Sequence, residues 1–155
     1  MKLADAHTLP VPPQTAYRAL QDPMLLARCI PGCEALDKIG DNDYRIRLKM
    51  VLASISGLFD GKIRIADTNP PTSFRLIVEA SGKIGFVNGD GLLTLSACSS
   101  ETTVQFDGEV HLGGTIASVG QRLLNTTAKM LIKRFFKKLA DVCENFGDNR
   151  PSSSA

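Results

Sequence analysis

The sequence predicts an α+β fold in which a curved antiparallel sheet of about seven strands wraps around one long C-terminal helix. Three observations carry this. Between Glu34 and Leu112, apolar and polar residues alternate at period two, as in strands with one buried and one wet face. From Gly113 to Phe146 the period changes. Ile116, Val119, Leu123, Leu124, Met130, Leu131, Phe135, Leu139, Val142 and Phe146 recur at steps of three and four, with no proline between them. Near the N-terminus, Pro13 and the pair Asp22-Pro23 are placed to open two short helices.

Lys2 to Leu9 reads as a short first strand, ended by Pro10, Pro12 and Pro13. Ala16, Tyr17 and Leu20 give the first short helix an apolar side, and the second covers Met24 to Arg28. Pro31-Gly32 makes a turn, and Glu34 to Ile39 is a strand turned back by Gly40-Asp41-Asn42-Asp43. Tyr44, Ile46, Leu48 and Met50 face inward against Arg45, Arg47 and Lys49. Leu52 to Ser56 reads as a connection. Gly57 to Asp67 is the next strand, with Phe59, Ile63 and Ile65 on one face.

Thr68 to Thr72 is a loop, and Phe74, Leu76, Val78 and Ala80 form a further buried face. Gly82, Gly85, Gly89 and Gly91 punctuate a strand continuing through Leu95, which predicts bending or close backbone approach. Ser96 to Glu101 is a turn, and Thr102 to Leu112 the last strand. Thr115 or Ser118 can cap the long helix, and Gly147 with Asn149 can stop it. The order β-α-α-β-β-β-β-β-β-α is a helix-grip arrangement over residues 1–147, with a disordered polar tail over 148–155.

Composition narrows the function. A chain of 155 residues supports one domain with a real core. A net charge of +2 and no tryptophan argue against a nucleic-acid partner. MKLADAHTL lacks the apolar stretch of a signal peptide, and no apolar run reaches the roughly 20 residues of a membrane span. A cytoplasmic protein with reduced cysteines is expected. No nucleophile elbow, phosphate loop, dinucleotide fingerprint or zinc-protease motif occurs, so neither a cofactor nor a catalytic residue is assigned.

Four groups of residues invite a functional reading. Cys29 and Cys33 could form a redox pair or metal clip, but further ligands are missing, and packing around Pro31-Gly32 is favoured. Asp107, Glu109 and His111 share one strand face, where acid–base chemistry is conceivable. Phe106, Gly108 and Val110 hold the other face, so the charged set is read as solvated. His7, alone in the first strand, is read as structural. Lys129, Lys133, Arg134, Lys137 and Lys138, beside Phe135 and Phe136, suit an acidic partner or an anionic membrane, or simply a solvated helix end. As a docking surface they are the candidate patch. Leu48, Met50, Phe59, Ile63, Val78, Leu93, Phe106, Leu124 and Leu131 are expected to line a cavity, because one helix cannot fill a bent, glycine-rich sheet. A lipid, quinone or fatty-acyl ligand fits that expectation.

Several stretches together resemble the carbon monoxide dehydrogenase G-subunit family. They are Asp22-Pro23 followed by Cys29-Ile30-Pro31-Gly32-Cys33-Glu34, Gly57-Leu58-Phe59-Asp60-Gly61-Lys62 and Gly82-Lys83-Ile84-Gly85-Phe86. Gly113 to Leu124, with Ala117, Gly120 and Gln121, and then Phe135-Phe136 complete the set. The resemblance spans Met1 to Phe146. It implies the SRPBCC, or START-like, helix-grip superfamily and a deep hydrophobic cavity. It also implies an accessory role beside a molybdenum hydroxylase, helping to dock or mature it at the membrane. Many members carry a C-terminal extension ending in a membrane-binding segment. This sequence stops at Ser152-Ser153-Ser154-Ala155, so peripheral contact at the inner membrane face is expected rather than a stable anchor. The alternatives are a stand-alone carrier of a hydrophobic small molecule and, on fold analogy alone, an enzyme.

Overall fold

The structure is a computed structural model that describes residues 1–52 and 54–148. Seven strands form one antiparallel sheet: β1 (Lys2–Leu9), β2 (Cys33–Lys38), β3 (Asp43–Leu52), β4 (Ile55–Asn69), β5 (Ser73–Gly82), β6 (Gly85–Cys98) and β7 (Glu101–Gly113). The spatial order is β1-β7-β6-β5-β4-β3-β2, so β2 to β7 form a continuous meander and β1 pairs with its last strand. The short helices α1 (Pro13–Ala19) and α2 (Pro23–Cys29) carry the chain from one edge of the sheet to the other. The long helix α3 (Gln121–Asp148) packs on β1 and α2.

Local chemistry accounts for the short helices. Pro12 and Pro13 enter α1 with extended and then helical backbone. The Asp22 side chain accepts hydrogen bonds from the backbone N–H groups of Met24 (2.9 Å) and Leu25 (3.4 Å), which caps α2 ahead of Pro23. The Tyr44 hydroxyl donates to the Gln21 carbonyl at 2.8 Å, and Tyr17 donates to the Ser73 carbonyl at 3.1 Å. Both bonds fasten the α1–α2 segment over the sheet.

Three expectations are corrected. Leu52 to Ser56 is not a connection throughout: Leu52 ends β3, Ile55 and Ser56 begin β4, and the pairing of the two strands reaches Leu52 with Ile55. The glycine-rich stretch is not one strand from Gly82, because β5 and β6 turn at Lys83-Ile84 with Gly82 opposite Gly85. The segment from Gly113 is not one helix. Gly114 and Gly120 take positive φ (82° and 98°), and Thr115–Val119 between them is a separate 3-10 turn. Ser118 donates to the Thr115 carbonyl inside that turn, and α3 starts with Leu124 N–H bonding the Gly120 carbonyl. The apolar period runs through the break because Ile116 is fully buried on the same side as Leu124. At the other end, α3 spans Gln121–Asp148 and so runs past the stop expected at Gly147; Asn149, the rest of the tail expected over 148–155 and the Phe146 side chain lie outside the described residues.

The core falls into two clusters. The larger joins α1, α2 and the C-terminal half of α3, through Phe136, Leu139 and Val142, to Phe74, Leu95 and Val104 of the sheet. The smaller is Leu52, Phe59, Ile116 and Leu124.

Candidate functional site

Between the two clusters the concave face is only partly filled by side chains. The inward positions of β6 run Val87, Gly89, Gly91, Leu93, and those of β7 run Phe106, Gly108, Val110, Leu112. Three of these eight are glycine, so part of the floor under the first turns of α3 is bare backbone. A cavity of about 330 Å³ results, roofed by Leu124, Thr127, Ala128, Leu131 and Ile132 and walled by Met1, Met50, Val78 and Phe106. That size lies at the lower end of small-molecule sites. A second cavity of about 200 Å³ lies beneath α1 and α2, among Leu26, Ile30, Leu36, Tyr44, Phe74 and Phe135.

The expected lining residues distribute unevenly. Met50, Val78, Phe106, Leu124 and Leu131 border the larger cavity, and Ile63 and Leu93 the smaller. Leu48 and Phe59 border neither. Phe59 is 1% exposed and packed solidly in the smaller core cluster, and Leu48 stands beside Gly32. The residues that sequence reasoning missed include Leu76, which borders both cavities. Its parity matches that of Val78, and alternation alone identifies it as inward-facing.

The cavities are apolar in character. Asp90 and Glu109 edge the larger one, but their carboxylates belong to the outer face: Asp90 accepts from Arg75 at 2.7 Å, and Glu109 is exposed. Charged pairs gather on that outer face, with Arg47 on Asp60 at 2.8 Å and Arg64 on Asp43 at 3.1 Å. Exposed pairs of this kind contribute little to stability. Asp107, Glu109 and His111 are likewise exposed there. Among the described residues, Thr127 is the one hydroxyl-bearing residue in the larger cavity's lining, and Tyr44, whose hydroxyl is bonded to the Gln21 carbonyl, borders the smaller. Burial, together with the nearby Asp22 carboxylate, pushes the Tyr44 phenol above its usual range.

The cysteines are unbonded thiols. Cys29 and Cys143 are buried, and the Cys33 thiol points to the Ala35 carbonyl at 3.5 Å. Burial pushes all three thiols upward, which suppresses the reactive thiolate. Among the described residues, no three His, Cys, Asp or Glu side chains gather as a metal site would require. His7 stacks on Phe136 with ring centroids 4.6 Å apart and planes 10° from parallel. Its Nε2 lies 3.2 Å from the Asp5 carboxylate, yet off the direction a hydrogen bond needs.

Lys129, Lys133, Arg134, Lys137 and Lys138 are all exposed on α3. Met130, 44% exposed, lies among them. No helix among the described residues is long and apolar enough to cross a membrane.

A family model described as the carbon monoxide dehydrogenase G-subunit (CoxG) matches residues 7–143. No curated protein sequence matches the chain. Among solved structures, a conserved protein from Geobacillus kaustophilus is 32% identical with a TM-score of 0.89, covering 94% of this chain and 96% of that one. A protein from Chromobacterium violaceum is 17% identical with a TM-score of 0.71, over 92% and 96% of the two chains. A START superfamily protein from Mycobacterium smegmatis is 10% identical with the same TM-score of 0.71, over 94% and 98%. The latter two are similar in fold, which agrees with the helix-grip architecture.

Proposed function

Because the chain belongs to the carbon monoxide dehydrogenase G-subunit (CoxG) family, we propose that it is a non-catalytic accessory protein that holds an apolar ligand and helps dock or mature a molybdenum hydroxylase. The observation that carries the ligand half is the larger cavity, an unfilled apolar space on the concave face of the sheet beneath α3, partly floored by glycine. Unfilled apolar volume costs stability, since its lining loses contacts on one side. A ligand that fills it restores those contacts. Catalysis would need titratable groups converging on the space, and the carboxylates at its edge turn outward.

The docking half rests on the family and on the five exposed cations of α3, with Met130 among them. Lys129, Lys133 and Lys137 repeat at four-residue steps and form one line along the helix. They suit an acidic patch on a partner enzyme, or a peripheral anionic membrane surface at the cytoplasmic side. Co-purification of the tagged chain with a molybdenum hydroxylase from its own cell tests this half. Retention of the hydroxylase by the native chain, and its loss with Lys133→Glu/Lys137→Glu, is expected; equal retention by both would contradict the patch.

A stand-alone carrier of a lipid, quinone or other hydrophobic small molecule is the second reading, and the cavity alone favours it. Native mass spectrometry of the freshly purified protein addresses the ligand in both readings: a co-purifying apolar mass supports it. A bare chain that also takes up none of a panel of lipids and quinones would contradict it.

A further inference from the structure

The two cavities meet at one side chain. Leu76 of β5 borders both, and its partners in the sheet differ on the two sides. Across β4 it faces Ile65, in the wall of the smaller cavity; across β6 it faces Gly91, in the floor of the larger. Leu76 is itself only half-buried, and Gly91 has no side chain to hold it on that flank. Above it, Ile132 borders the larger cavity and Phe135 the smaller, less than one helical turn apart on α3. Leu76 is therefore an aliphatic partition between the two spaces, with no side chain on its Gly91 flank.

We propose that both cavities receive one elongated, unbranched hydrocarbon chain, and that Leu76 is the specificity residue that sets how far the chain reaches. This rests on the apolar-ligand reading above. The lining of α3 runs from Leu124 to Phe135, a span of about 16 Å at the helical rise per residue. A compact ring system fits the larger cavity alone, whereas a flexible tail can continue past Leu76 into the smaller. The walls along this path are aliphatic and aromatic, so the chain carries no charge along its length.

The experiment displaces a neutral apolar fluorophore, N-phenyl-1-naphthylamine, from the full chain with linear alkanols from octanol to hexadecanol. Affinity is expected to keep rising through hexadecanol as the tail crosses the partition. Ile63→Phe fills the smaller cavity; it is expected to weaken hexadecanol by about tenfold, the worth of a few buried methylenes, and to leave octanol within about twofold. Leu76→Ala, or the milder Leu76→Val should the alanine variant melt early, is expected to tighten hexadecanol relative to octanol, whose contacts with Leu76 in the larger cavity are also trimmed. An affinity that levels off at octanol, or an Ile63→Phe effect equal on both alcohols, overturns this inference while leaving the cavity reading standing. If no alkanol displaces the probe from the wild-type chain, the cavity reading fails and this inference fails with it.

Discussion

Gly91 of β6 stands directly opposite Gly108 of β7 on the concave face of the sheet. The pair brings two backbones together where side chains would normally meet, and the Phe106 ring lies close over both, at the edge of the larger cavity. A Cβ at Gly91 would lie 3.1 Å from the Phe106 ring and 3.3 Å from the Gly108 Cα. Gly91→Val is therefore expected to destabilise the protein by about 1–3 kcal/mol through overpacking, read as a lower urea midpoint.

Gly89 is the contrasting case. A Cβ there meets nothing closer than 3.8 Å, so a larger side chain enters open space. Gly89→Leu is expected to leave the melting temperature unchanged or raise it, since strand-interior glycine costs about 0.5–1 kcal/mol relative to alanine. Thermal unfolding followed by circular dichroism measures this; a marked loss would mean that the space is not free.

The Asp22 cap carries the start of α2, and α2 helps enclose the smaller cavity through Leu26. Asp22→Ala is expected to cost about 1 kcal/mol by chemical denaturation. Asp22→Asn, which keeps an accepting oxygen, should recover most of it.

Three thiols and one phenol have folded-state values raised by burial. Raised values mean that the folded state holds its protons where the unfolded chain has released them. The stability these groups contribute is full below the ordinary thiol value of 9.0 and falls as pH climbs through the higher folded values. A stability profile by urea titration is expected to decline on this alkaline side, and Cys143→Ala should flatten the decline. At neutral pH, Cys98 should react rapidly with a thiol reagent because it is exposed, while Cys29 and Cys143 should react only after unfolding.

The basic line on α3 predicts a charge-dependent surface. Vesicles of phosphatidylcholine with phosphatidylglycerol are expected to sediment more of the chain than phosphatidylcholine alone. Each cation near an anionic surface contributes about 1 kcal/mol, so Lys133→Glu/Lys137→Glu should abolish the difference. Equal, negligible binding to both vesicles would remove the membrane as an occupant of the patch.

The sheet and its inward face are legible in the sequence because alternation reports directly which side of a strand is buried. Tyr44, Ile46, Ile65, Phe74, Leu93 and Val104 all follow it into the core. Alternation does not report what lies above a given inward residue. Phe59 and Met50 share one face, yet Ile116 and Leu124 pack over Phe59, while Met50 borders open space. Nor does it distinguish a glycine that bends a strand from one that leaves a hole, so in the sequence Gly89, Gly91 and Gly108 do not stand out as the floor of a site. The break at Gly120 is hidden for another reason: Ile116 keeps the helical apolar period although the backbone between it and Leu124 turns through a positive φ.

The most direct measurement is a fluorescence titration of N-phenyl-1-naphthylamine into the wild-type chain and Gly89→Leu. The account predicts saturable binding to a single site in the wild type and a loss of most of that binding in the variant, with both proteins equally folded. No saturable binding in the wild type, or the same affinity in both, would contradict the claim that the glycine-floored cavity receives an apolar ligand.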